Sequence, residues 1–472
     1  MSPDRLPPPQ EVIEQVLTRA RAGNDGCVVL VEEKSEVEVR FANNTTTTNG
    51  SRRDRRVTVI AVRAVAGSLA TGVARRGGMV DVDDLVEAAE AAAAGSPPAP
   101  DASPLLEPGT SAPPSRASDS FGAAPVHTDL SVLSEVLSGL STAFRRAEKG
   151  NSVLAGFAEH RYTTEYLATS TGLRAAHSQP EGALQLVARS GDGSASTWAG
   201  AGTSDFSDVS VEGLDEQLRT RLDWSTPALA RPAGRYEVIL PPAAVSDLMI
   251  DVLFAAGGRD AEDGQSVFSR AGGGTRVGDL LSAVPFDLYS DPAAPGLECA
   301  PFLAVPSSSS DVSVFDNGLR LDHTKWIAGG RLNQLRYHRA GAARSGTAPA
   351  GFVGNAILTA PGASASVEDM VSRTERGLLL TCLWYIRSVD PATLLLTGLT
   401  RDGVYVIEDG RVVGAANNFR FNESPVDLLA RASEVGSSVR TLGREFGEYF
   451  NRTRMPPIRI PDFNMSSVSR AS

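Results

Sequence analysis

The run Tyr236-Glu-Val-Ile-Leu240, then Pro241-Pro242, then Ala243-Ala-Val-Ser-Asp-Leu-Met-Ile-Asp-Val-Leu-Phe-Ala-Ala256, decides how the second half of this chain is read. The first five residues form a short apolar strand. Proline ends it, because it has no N–H for a sheet ladder, and proline suits the first turn of a helix. A helix from Ala243 to about Ala256 follows. It contains no His, Glu or Cys. The loop Asp263-Gly-Gln-Ser-Val-Phe-Ser269 comes next.

Downstream, strands and loops dominate. Gly403-Val-Tyr-Val-Ile-Glu-Asp-Gly-Arg-Val-Val413 reads as two strands joined at Asp409-Gly410, because a type I′ turn needs positive φ at both central residues. Ser424-Pro425 opens a helix over Val426–Ala432. Leu378–Ile386 is apolar and reads as one buried strand carrying Cys382. Gly272–Gly278 reads as a connector before a helix near Val277–Ala283. A C-terminal β-rich domain with few helices is expected over 233–465, with a tail over 466–472.

Upstream, Val12, Ile13, Val16, Leu17 and Ala20 recur at helical spacing within Gln10–Ala22, and Gly23 should end that helix. Cys27–Glu32 and Glu36–Ala42 read as strands, with Asn43–Arg56 a loop or hairpin tip turning at Asn49-Gly50. A strand over Val57–Val65 and a helix over Val82–Ala94, capped by Asp81, complete an N-terminal region, 1–94. Residues 95–128 are rich in Pro, Ser and Ala and read as a linker, either mobile or laid across a surface. The middle region, 129–232, opens with an amphipathic helix over Asp129–Lys149. Strands over Val153–His160, Thr164–Ser170 and Ala183–Arg189 and a helix near Val211–Leu222 follow. The fold class expected is α+β: an N-terminal helix-plus-antiparallel-sheet region, a linker, and a β-rich C-terminal domain.

The net charge of −11 argues against nucleic acid or an anionic membrane as the main partner, since both need a basic face. No run approaches the roughly 18 apolar residues of a membrane span. The three cysteines, Cys27, Cys299 and Cys382, are too far apart to suggest a disulfide framework or a zinc ribbon. A cytoplasmic protein is expected.

Tests for chemistry give little. No two of His127, His160, His177, His323 and His338 have the spacing of a helical metal pair. His323 and His338, with Asp316 and Asp322 nearby in sequence, could furnish a hydrolytic metal site, or be surface or hydrogen-bonded histidines. Cys382 reads as an inert core thiol, and Cys299 as more exposed but without a basic neighbour to activate it. Gly272–Gly278 lacks the Gly-Lys-Ser/Thr ending of a phosphate loop. Arg331, Arg336, His338, Arg339 and Arg344 form one basic cluster. It is either a solvated helix face or an anion-facing wall that meets a carboxylate of a substrate or partner. Arg331, Arg336, His338, Arg339 and His323 are the candidate contact residues for substrate or partner.

The strand–Pro–Pro–helix order, Gly264-Gln-Ser-Val-Phe268, Ser313-Val-Phe-Asp-Asn-Gly318, Thr400-Arg-Asp-Gly403, Ile407-Glu-Asp-Gly410 and Pro457-Ile-Arg-Ile460 together resemble the TldD/PmbA family of peptide hydrolases. The resemblance implies a pair of subunits, one TldD-like with zinc and one TldE-like (PmbA-like) without. In the active subunit two histidines of a His-Glu-x-x-x-His motif lie on the helix corresponding to Ala243–Ala256, and a Cys near the C-terminus adds a ligand. Here that helix lacks them, and Ser437–Arg454 holds no Cys. The resemblance therefore implies a chain with no metal of its own. It would pair with a zinc-bearing TldD-like subunit to cleave peptide or amide bonds in unfolded or modified peptides or peptide-derived natural products, in a setting such as antibiotic biosynthesis. An exposed strand edge, in the hairpin Gly403–Val413 or the run Leu378–Arg387, could hold an extended chain. Two alternatives stand beside it: a stand-alone hydrolase using His323 or His338, and a non-enzymatic module that binds modified peptides.

Overall fold

The computed structural model describes residues 6–20, 24–109 and 111–469. Three sheets organise the chain. The first is antiparallel and has six strands: β1 (Gly26–Ala42), β2 (Thr45–Val65), β3 (Ser68–Gly77), β4 (Ser152–Thr169), β5 (Arg174–Ser190) and β6 (Ser196–Thr203). Their order is β3-β2-β1-β4-β5-β6. The regions 1–94 and 129–232, read as separate units in the sequence, thus contribute to one sheet through the β1–β4 pairing. Helices pack on it because their apolar stripes match its buried face. Val12, Ile13, Val16 and Leu17 of Pro9–Ala20 and Leu85, Val86 and Ala89 of Val82–Gly95 share one core with Val29, Val31 and Val57.

Several boundaries differ from the sequence reading. β1 and β4 are each one long strand, where two short ones were expected. The hairpin turns at Asn43 and Asn44, with φ of 51° and 60°, while Asn49 and Gly50 pair within the ladder. Both sites carry turn chemistry; Asn44 prevails because its side chain accepts from Leu154 N at 2.7 Å and donates to Ser152 O at 3.0 Å, fixing the turn against β4. Asp81 caps its helix as expected, accepting from Asp84 N. Asp129 caps a short 3-10 turn, Leu130–Leu133, that leads into the helix Ser134–Lys149. Residues 95–109 and 111–128 lie across the protein surface with two short helical turns, and Asp101 and Leu106 are buried there. The expected helix end at Gly23 lies outside the described residues.

The C-terminal region holds the other two sheets and few helices. One has six strands, ordered Arg331–Leu332, Thr324–Ala328, Asp287–Ser290, Ala356–Thr359, Thr453–Met455 and Val439–Thr441. The other has nine. Eight run Leu383–Asp390, Leu395–Thr400, Phe419–Glu423, Ile458–Val468, Gly234–Leu240, Arg376–Leu380, Val404–Glu408 and Arg411–Ala415. Glu434–Val435 adds to Ile458–Val468. The Asp409-Gly410 turn forms as read, with φ of 47° and 76°. The run Leu378–Ile386 is instead split at Thr381-Cys382 into two strands. Residues 277–283 are not helical; Gly278 N and Leu281 N bond across to Leu332 O and Gly330 O. No helix of the described residues is long and apolar enough to cross a membrane.

Candidate functional site

The quoted segment folds as a strand, Gly234–Leu240, and a helix, Pro242–Phe254, with proline in the first helical turn. Residues 244–250 of that helix are all buried, so it is the axis of the largest core. Two polar residues sit in this apolar setting with no exposure at all: Ser246 and Asp247. Buried polar groups persist only when they are bonded, and both reach the same place. Asp247 Oδ2 accepts from Arg444 N at 2.9 Å. Asp247 Oδ1 accepts from Glu445 N at 3.1 Å and Phe446 N at 3.2 Å. Ser246 Oγ bonds Thr453 Oγ1 at 3.0 Å, which donates to Thr441 O at 2.7 Å. One carboxylate therefore pins residues 444–446 onto the helix. A side chain at residue 443 would prevent this, because a Cβ on Gly443 would lie 2.3 Å from Asp247 Oδ1.

Electrostatics make this junction unusual. Burial pushes the Asp247 pKa up to about 8, against the pull of the three N–H donors. Both oxygens accept from backbone N–H groups and neither donates, so the geometry calls for the ionised form that burial disfavours. One turn on, Asp251 is pushed up to about 7 by burial and by the nearby charge of Glu445. Its Oδ2 is buried with no hydrogen-bond partner. Glu445 itself accepts from Tyr385 N at 2.8 Å and pairs with Arg387 at 2.9 Å.

Arg444, beside these groups, joins the first sheet to the C-terminal region. Its guanidinium lies 4.2 Å from the Trp384 ring centre and 5.3 Å from that of Trp198, and it donates to Asp402 at 3.0 Å. Asp402 also accepts from Ser196 Oγ on β6. Around the junction lies an aromatic surface. Phe446 packs edge-on against Phe254 and Tyr449, both at 5.7 Å. Phe254, Tyr449 and Tyr385 are 43%, 62% and 52% exposed. Tyr385 takes φ of 51°, a costly conformation for an aromatic residue, at a bulge in its strand. These rings leave apolar surface uncovered around the junction.

Residues 233–467 match the family model described as the PmbA/TldA metallopeptidase C-terminal domain. The chain belongs to the TldD/PmbA family. Among solved structures, TldE from Thermococcus kodakarensis superposes with a TM-score of 0.78 at 18% identity, over 96% of this chain and 99% of that one. A protein from Thermotoga maritima described as a candidate modulator of DNA gyrase gives 0.76 at 16% identity, over 96% and 99%. A similarly described protein from Bacteroides thetaiotaomicron gives 0.74 at 13% identity, over 97% and 99%. At these identities the likeness is one of fold. No curated protein matches the chain.

The residues singled out from sequence in this TldD/PmbA chain serve mostly internal contacts, and one of them, Arg336, reaches the end of the junction helix. Arg336 is buried, donating to the carbonyls of Leu253 and Phe254 and pairing with Asp311. It thereby caps the C-terminal end of the Pro242–Phe254 helix, where cations are favoured. Arg339 takes both oxygens of Asp316, through its N at 2.8 Å and Nε at 2.7 Å. Buried His338 accepts from Gly341 N at 3.2 Å and caps the helix Arg339–Ser345. Arg331 and Arg344 donate to Gly278 O and Pro100 O. Arg336 and His338 are thus buried and Arg339 half-buried in internal contacts, while Arg331 and Arg344 stand exposed. His323 is exposed beside Tyr289, with ring centres 5.1 Å apart, and Asp322 pairs with Arg320. Among the described residues no three of His, Cys, Asp and Glu form a group able to hold a metal ion.

Cys382 is buried as expected, its pKa pushed up to about 12 by desolvation. Cys299 corrects the sequence reading on two counts. It is buried, and Arg452 lies close enough to lower its pKa, although desolvation prevails and raises it to about 11. Asp247 and Asp251 went unmarked in the sequence. Their signal was there: two carboxylates four residues apart on an otherwise apolar helix.

Proposed function

We propose that this chain is the metal-free partner subunit of a TldD/TldE-like zinc hydrolase acting on peptide or amide bonds. Its substrates are unfolded or modified peptides or peptide-derived natural products, in a cytoplasmic setting such as antibiotic biosynthesis. The observation that carries the reading is the Asp247 junction. The family resemblance has zinc in the active subunit gather ligands from this helix and from a C-terminal segment. In this chain a carboxylate and three backbone N–H groups join that helix to residues 444–446 of the C-terminal segment. The carboxylate bonds hold the helix to that segment, and the exposed aromatic groups around the junction give a partner something to cover.

The test is co-expression with a family member that carries His-Glu-x-x-x-His. The expected result is a co-purifying complex with zinc and peptide cleavage, while this chain purified alone has neither. Zinc and cleavage from the other subunit without this chain, or failure to co-purify, would overturn the proposal. Stoichiometric zinc and cleavage from this chain alone would instead favour a self-sufficient hydrolase.

A further inference from the structure

A cleft of about 960 Å³ lies between the first sheet and the C-terminal region, and its walls include two strand edges. β6 is the last strand of the first sheet, and Val439–Thr441 is the last strand of the six-stranded C-terminal sheet. Five consecutive residues of β6, Trp198 to Gly202, line the cleft. Consecutive residues point to alternate faces of a sheet, so it is the edge of β6 that opens onto this space.

The outward backbone there is free to bond at Gly200 and Gly202, though not at Trp198 O. Trp198 O turns away from β5 and accepts from Arg221 at 2.6 Å. In an antiparallel ladder both backbone groups of every second residue point the same way, and the β5–β6 register is unbroken. Gly200 and Gly202 therefore turn N–H and C=O toward the cleft, and no backbone or side-chain partner outside the sheet meets them. An unpaired edge is a template for another strand. The surrounding walls are largely apolar, with Leu214, Trp224, Pro242 and Val439 among them. Glu216 and Glu368 stand exposed at the cleft with no ion pair, while of the two arginines there Arg440 is paired with Asp208 and Arg221 donates to Trp198 O. Five residues of strand span roughly 16 Å, enough for a peptide of about five residues, and the volume is that of an ordinary ligand site.

We propose that this cleft binds an extended peptide segment as a seventh strand on β6, with apolar side chains and a neutral or basic charge. The choice of peptide as ligand rests on the peptide-hydrolase reading above. The site itself belongs to this chain, so its test needs neither partner nor zinc, and its failure is distinguishable from failure of the partnership.

The probe is a fluorescein-labelled Gly-Val-Ala-Val-Ala-Val-Arg peptide, titrated against the full chain by fluorescence anisotropy. Two versions carry N-methyl groups on alternate amides, one on the even set and one on the odd. A paired strand presents one set to its neighbour and the other to solvent. One version should therefore bind at least tenfold more weakly than the parent and the other nearly as well. Amide exchange at Gly200 and Gly202 should slow when the parent peptide binds. Gly200→Pro, which removes an outward N–H without breaking the β5–β6 ladder, should weaken binding at least tenfold, and Gly200→Ala, whose Cβ likewise meets the Trp198 ring at 2.6 Å, measures the steric share of that loss. If the proline variant does not fold, the methylated peptides still decide the matter. No binding by the chain, equal binding of both methylated versions, or protection of β6 by dimerisation of the chain would each overturn the proposal.

Discussion

Replacing Asp247 tests the central junction most directly. In Asp247→Asn the amide oxygen can take the place of Oδ1 and keep the bonds from Glu445 N and Phe446 N. The amide NH2 then faces Arg444 N, donor against donor, where Oδ2 accepted before. One buried N–H loses its partner and the others lose a charged acceptor, a cost of about 2–3 kcal/mol. Asp247→Ala strands all three N–H groups. At about 1–3 kcal/mol for each unmet buried donor, with water reaching the outer ones, the loss is roughly 3–6 kcal/mol. Urea unfolding measures these totals, and amide exchange shows where they fall: Arg444, Glu445 and Phe446 should exchange much faster while β1–β4 amides do not change. The two readouts separate a pin from a general core defect. If Asp247→Asn costs less than about 0.5 kcal/mol and the three amides keep their protection, the carboxylate does not hold the segment and the argument fails.

Three further outcomes follow from the same geometry. Asp251 has its folded-state pKa raised to about 7, above the ordinary value of about 3.9. The native state therefore keeps a proton that the unfolded chain has lost between those limits, and stability falls as pH rises through that window. Asp251→Asn should accordingly stabilise the protein on the order of 1–3 kcal/mol more at pH 8 than at pH 5 in urea melts; an equal effect at both would refute the assignment. Arg444→Lys keeps the charge but loses the planar stack on Trp198 and Trp384, and should cost about 1–3 kcal/mol and alter tryptophan fluorescence. Cys27, Cys299 and Cys382 are all buried with pKa values raised to about 12, 11 and 12. A thiol reagent at pH 8 should find none of them reactive until the chain unfolds, and one fast-reacting thiol would contradict this.

Sequence alone determined what depends on neighbours within a few residues. Pro241-Pro242 had to separate a strand from a helix because proline fixes φ and lacks an N–H, and Asp409-Gly410 had to turn a hairpin because it admits the positive φ that the turn needs. The apolar stripe of Pro9–Ala20 and the Asp81 cap were legible for the same reason. Local chemistry could not choose between the Asn43-Asn44 and Asn49-Gly50 turns, since the contact with β4 that selects the first comes from about 110 residues later. Nor could it show that 1–94 and 129–232 share a sheet. The site was less legible still. Asp247 meets its donors across nearly 200 residues, and in a linear reading it is only one polar residue on an apolar helix. The arginines misled in the opposite direction: clustered in sequence, Arg336 and Arg339 are drawn inward by Asp311 and Asp316. Where a charged side chain ends up depends on which partner the fold brings within about 3 Å, and tertiary structure alone decides that.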